Sequence, residues 1–217
     1  MYWVQFFKFN QGKPDSYNCL KIKIEEFINE KHDLNLKYNY NDCLIHTASE
    51  CGNLEAVSIL IDKGCDLNIK DNFNHTPLHC SSMYGHLKIV EKLINNGADI
   101  NIKNKNDNTP LHIACKYGYL DVVNILINNG ADINSLDNYK ITPLHYASEY
   151  GNLEMVEMLV KNGAILNSLN NLKLKPVDIA KNIEIKEYLS TAKQISDNRK
   201  IYPYFWVIVY NHMNKDK

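Results

Sequence analysis

Nearly identical segments recur along this chain at a fixed interval. HTPLHCSSMYGHLKIVEKLINNGADINIK begins at His75; NTPLHIACKYGYLDVVNILINNGADINSL and ITPLHYASEYGNLEMVEMLVKNGAILNSL follow it. Thr76, Thr109 and Thr142 stand 33 residues apart. Two glycine series keep the same step: Gly52, Gly85, Gly118, Gly151 and Gly64, Gly97, Gly130, Gly163. A period of this size means one supersecondary unit stacked on copies of itself, each burying a face it cannot bury alone.

The signals inside one unit agree with each other. Thr76 can cap a helix whose first turn holds Pro77, where the missing N–H costs nothing. Gly85 ends that short helix, because a terminal residue with φ > 0 suits glycine. Leu87, Ile89, Val90, Leu93 and Ile94 then fall at helical spacing, and Gly97 stops the second helix. ADINIKDNFNH is a polar turn segment. Each unit reads as helix, turn, helix and a projecting hairpin-like loop.

These residues resemble ankyrin repeats: the TPLH-x-A core, the glycine between helices and the GADIN ending match that family's pattern. The resemblance implies an all-α ankyrin-repeat solenoid. Four full copies are expected at 38–70, 71–103, 104–136 and 137–169. Cys43-Leu44-Ile45-His46 replaces TPLH in the first, which loses the proline and keeps the histidine. An N-terminal capping half-repeat (21–37) follows an aromatic flank (1–20). A shortened capping repeat (170–192) keeps Pro176 and Ala180, puts Asp178 in the histidine's place and lacks the inter-helix glycine; a tail (193–217) follows it. Atypical ends are expected, since each must manage its own exposed face.

Chemistry finds little support. His46, His79, His112 and His145 form a column, but stacked helical layers lie roughly 8–10 Å apart, whereas zinc ligands lie roughly 2.0–2.3 Å from the ion. Each histidine is expected to bond its own loop and the neighbouring one. His75 and His86 stand outside the column and are expected in solvent. Ser81, Ser82 and Ser148 replace small residues of the helix interface and have no carboxylate–imidazole pair to activate them. No cofactor, metal or catalytic residue is expected. Asn35, Asn68, Asn101, Asn134 and Asn167 are expected to satisfy backbone groups in the turns. The six cysteines contain no CxxC pair; Cys65 and Cys115 fill small-residue positions, as buried thiols in a reducing compartment would.

What remains is binding. A net charge of −1 gives no global pull on nucleic acid, and no apolar run reaches the roughly 18 residues of a membrane span. The resemblance implies a curved platform, here a monomeric cytoplasmic or nuclear scaffold, adaptor, inhibitor or assembly chaperone, that grips a partner protein by its concave face and loop tips. Carried over, the contact positions are Lys70, Phe73, Lys103 and Lys105 on the earlier tips, and Met83, Tyr84, Lys116, Tyr117 and Tyr150 before the inter-helix glycines. The later tips add Leu136, Tyr139, Ile141, Leu169, Leu172 and Leu174. The alternative is a peripheral membrane or complex-anchored subunit held by the termini MYWVQFF and IYPYFWVIVY. The second of these (201–210) is too apolar to be left in water, and is expected to fold back on the last units or dock with them into a partner.

Overall fold

The computed structural model describes residues 33–37 and 42–201, with side chains described through residue 195. The aromatic N-terminal flank, most of the N-terminal half-repeat and the apolar segment after Ile201 lie outside the described residues. Among the described residues there are ten helices and no strand. They are α1 Leu44–Glu50, α2 Leu54–Asp62, α3 Pro77–Met83, α4 Leu87–Asn95, α5 Pro110–Tyr117, α6 Leu120–Asn128, α7 Pro143–Tyr150, α8 Leu153–Lys161, α9 Pro176–Ile179 and α10 Ile183–Ile201. The chain is an ankyrin solenoid in architecture: helix pairs stacked in one direction, with loops between units.

The odd-numbered helices pack on one another more extensively than the even-numbered ones do. The residues facing across that layer are small: Ala48, Ser81, Ala114 and Ala147, with Ser49, Ser82, Cys115 and Ser148 beside them, all fully buried. Short side chains let the first helices approach closely. The second helices carry larger residues, Leu60, Leu93, Leu126 and Leu159, equally buried. One layer packed more tightly than the other curves the stack, with the first helices on its inner side. The hydroxyls of Ser49 and Ser82 have no hydrogen-bond partner, so size alone accounts for serine there.

Each unit is closed by its histidine. Nδ1 of His79 accepts the Thr76 backbone N–H at 3.2 Å, and Nε2–H donates to the Asn108 carbonyl of the next loop at 3.0 Å. His112 and His145 repeat this with Ile141 and Leu174 at 3.1 Å. His46 does so with Ile69 and His75. In the last unit Asp178 caps Lys175 N–H at 2.8 Å, so a shorter carboxylate does the same local work.

The loops are tied as regularly. Asn35, Asn68, Asn101 and Asn134 each accept the backbone N–H of the residue 31 positions later, at 2.8–3.0 Å. They satisfy backbone groups of the turns, as expected, but those of the following unit. The tips fold around Asp71, Asn104, Asp137 and Asn170, whose side chains each accept two nearby backbone N–H groups. That geometry holds Asn74, Asp107, Lys140 and Lys173 at φ of 56–59°.

Two expectations change. His75 and His86 are half-buried rather than solvated. His75 reaches back four residues to Asp71 at 3.4 Å, and His86 Nε2 meets the Glu50 carbonyl at 3.0 Å. The expected boundary at 192–193 falls inside α10, which runs on to Ile201. Where Gly64, Gly97, Gly130 and Gly163 stop earlier second helices, this one has no glycine.

The inter-helix glycines are not equivalent. Gly85 and Gly118 both have positive φ, at 71° and 81°, but a Cβ on Gly85 would strike the Tyr119 ring, while one on Gly118 would meet nothing within 4 Å. Gly118→Ala is expected to cost about 1–2 kcal/mol for its backbone conformation, and Gly85→Ala about 1–3 kcal/mol more for overpacking. Thermal unfolding of the two variants, and of Gly85→Ala with Tyr119→Ala, checks this. Equal losses, or no rescue, would contradict the contact.

Candidate partner-binding face

The C-terminal ends of the first helices place a tyrosine at the inner rim of the stack in three successive units, where the first unit has Cys51. Tyr84, Tyr117 and Tyr150 are 39%, 49% and 51% exposed. They sit immediately before Gly85, Gly118 and Gly151, whose left-handed conformation turns the chain away from the rings. Tyr84 donates to Glu50 at 3.1 Å and stacks on His86. Between Tyr117 and Tyr150 lies a shallow groove floored by Gly118 and Gly151, with Lys116, Asn152 and Leu153 at its sides.

Two lysines are set against tyrosine rings here, one of them Tyr150. The Lys116 ammonium lies 5.9 Å from the centre of the Tyr146 ring, and Lys181 lies 5.6 Å from that of Tyr150. Tyr146 is anchored below by a 3.1 Å bond from its hydroxyl to Asp137, and burial first, then that carboxylate, pushes its phenol well up. Asp137 is 5% exposed. Its carboxylate is spent on the tip backbone and on Tyr146, while Glu149, beside Tyr150, is a half-buried carboxylate near the same Tyr146 ring.

The tip residues separate into three kinds. Lys70, Phe73, Lys105, Leu136, Tyr139, Leu169 and Leu172 are exposed, with Tyr139 at 64% and Leu172 at 77%. Lys103 is exposed too, but its ammonium donates to the Leu136 carbonyl at 2.7 Å, as Lys37 does to Lys70 at 3.0 Å; part of its charge serves the loop ladder. Met83, Ile141 and Leu174 are half-buried. The carbonyls of Ile141 and Leu174 seat the histidines of the preceding unit, which draws these residues toward the stack.

Three lysines were not among the sequence-derived candidates. Lys140 and Lys173 occupy the left-handed tip position that Asn74 and Asp107 hold in earlier units. The 33-residue step from two good turn residues was the available signal. Lys181 belongs to the shortened unit, where the period no longer helps.

Burial sets the protonation of the column histidines and of the Cys43 and Cys65 thiols. Both ring nitrogens of each column histidine are engaged by backbone groups, and burial holds all four below the usual imidazole value, His79 at about 3 and His112 at about 4. Burial pushes the Cys43 thiol up to about 11 and that of Cys65 up to about 12, away from the thiolate a nucleophile needs. Among the described residues no three His, Cys, Asp or Glu side chains gather where a metal could bind.

The sequence model of the family described as ankyrin repeats (3 copies) matches residues 16–104 and 90–170. No curated protein matches the chain.

Proposed function

Because the chain belongs to the ankyrin-repeat family, whose arrays are protein-interaction modules, we propose that it is a non-enzymatic scaffold that holds a partner protein against its inner face and loop tips. The row of half-exposed tyrosines, with Lys116 in the groove between Tyr117 and Tyr150 and Lys181 over Tyr150, carries this reading. Tyrosine covers area with few rotamers to freeze, and its ring gains when water is excluded beside it. The partner would act as an adaptor's client, an inhibited protein or an assembling subunit. Free cysteines at 43, 51, 65, 80 and 115 suit a reducing compartment, cytoplasm or nucleus. No helix among the described residues is long and apolar enough to cross a membrane. The membrane-anchored alternative would depend on the aromatic termini, outside the described residues.

Charge enters through rate. Lys70, Lys105 and Lys116 have no ion pair among the described residues, so an acidic partner surface would be steered toward them. Lys70→Glu with Lys105→Glu is expected to slow association roughly tenfold or more at low salt, with a smaller change in dissociation. Stopped-flow or surface-binding kinetics with the captured partner would read it. Association rates indifferent to both the reversal and the salt would count against a basic docking edge. Hydrogen-exchange mapping of the complex tests the wider reading. Protection should fall on residues 116–118, 149–152 and the tips, and protection confined to the second helices would overturn it.

A further inference from the structure

The residue after an inter-helix glycine can lie over the glycine of the unit before it. His86 does so to Gly52 and Tyr119 to Gly85, so that a Cβ on either glycine would strike a ring. The next member of this 33-residue series is Asn152. Its side chain turns to its own helix and accepts the Met155 N–H at 2.9 Å. A Cβ on Gly118 would accordingly meet nothing within 4 Å among the described residues. The groove between Tyr117 and Tyr150 lies at this uncovered glycine.

His86 shows what such a notch does with a ring. Gly52 lies beneath it, the Tyr84 ring stacks beside it at 6.2 Å between centroids and 19° between planes, and its Nε2–H donates to the Glu50 carbonyl at 3.0 Å. Two units on, the matching residues are Gly118, Tyr150 and Lys116. All three line the one groove. Lys116 stands in the last turn of α5, where helix carbonyls have no intrahelical partner. Floor, wall and acceptor are therefore repeated, and the ring is not.

We propose that this groove seats a tryptophan side chain of the partner protein, in the place of the ring that the chain supplies to its two earlier units. The inference rests on the reading that the partner occupies the inner face. A glycine floor and a tyrosine wall suit a flat group, since stacked rings gain beyond the area they bury. The carbonyl calls for an N–H on the ring edge. Indole has one such donor and no acceptor, whereas imidazole brings a second nitrogen that needs its own partner and phenol donates from its far end. Lys116 lines the same groove, and a cation gains most from the face of an indole.

The probe is N-acetyltryptophanamide, added to the full chain and followed through the backbone amide signals of Gly118 and Gly151. Saturable shifts concentrated at these two glycines are expected. Asn152→His supplies a ring from within, as His86 does at Gly52, and should abolish them. Asn152→Ala loses the same cap on Met155 and adds no ring, so it should keep them. Loss in both variants would make the cap, rather than the vacancy, responsible and overturn the proposal. Shifts that survive Asn152→His overturn it too, as do no saturable shifts at all. Equal shifts with N-acetylleucinamide would mean a merely apolar groove, and equal shifts with N-acetylhistidinamide would remove the case for indole; either result overturns it. The probe needs no partner, so its failure is separate from that of the protection pattern expected of the complex.

Discussion

Acidification from pH 7 to pH 5 is expected to remove about 4 kcal/mol of stability through His79 and His112 alone. Both are 0% exposed and buried neutral. Burial is the main cause of their low values. The bonds to Asn108 and Ile141 and the charges of Asp71 and Asp137 pull the other way, while His75 and Lys70 near His79, and Lys103 near His112, push down. With folded values of about 3 and about 4 against roughly 6.5 in the unfolded chain, the unfolded state binds more protons throughout the interval. The contribution is therefore complete above pH 6.5 and is lost as pH falls toward the folded values, at about 1.4 kcal/mol per pH unit for each histidine. His46 and His145 are shifted in the same direction for the same first cause and steepen the slope. Domains hold only about 5–15 kcal/mol in all, so the array should approach unfolding in mild acid. Urea titrations at pH 7, 6 and 5 measure this. A flat profile would mean that the histidines are not buried bridges between units.

Leu111→Ala should be comparably damaging, at about 2–5 kcal/mol. Leu111 is 0% exposed in α5, in a column with Ile45, Leu78 and Leu144 that are equally buried. Being in the middle of the stack, it loses contacts to both neighbouring units, and the tight backbone approach of the first helices leaves little room for collapse into the cavity. Val177, in the same column position, is half-buried in the short terminal helix, and Val177→Ala should cost about 1 kcal/mol. Chemical denaturation of both variants gives the contrast. Similar losses at the two positions would mean that stability is not passed from unit to unit through this layer.

How much of this was readable beforehand follows from what the period repeats. Units, caps, the histidine column and the core leucines recur every 33 residues, and the structure puts each copy in the same place. The asparagine series was visible as well, but its action between units was not, because a side chain's partner 31 residues away is a matter of stacking. Sequence reasoning failed where a residue is unique to its unit. His86 lies on the preceding glycine and Lys181 covers Tyr150, and both contacts arise only once units are superposed. Lys103 was expected as a contact position, and nothing local shows that the Leu136 carbonyl lies within its reach. The length of α10 was the hardest to see: its sequence lacks a stop signal, and absence of a stop is a weaker cue than a glycine.

The central claim is that the inner tyrosines grip the partner, and one paired comparison tests it most directly. Affinity for the captured partner would be measured for a Tyr117→Ser, Tyr150→Ser chain and for a Lys88→Ala, Asp121→Ala chain altered at exposed positions of the second helices. Buried interface tyrosines are each worth about 2 kcal/mol or more, so the first chain, which loses two, should bind roughly a thousandfold more weakly while the second binds as the parent does. Undiminished binding by the tyrosine-altered chain, with loss in the other, would place the partner on the outer surface and contradict the account.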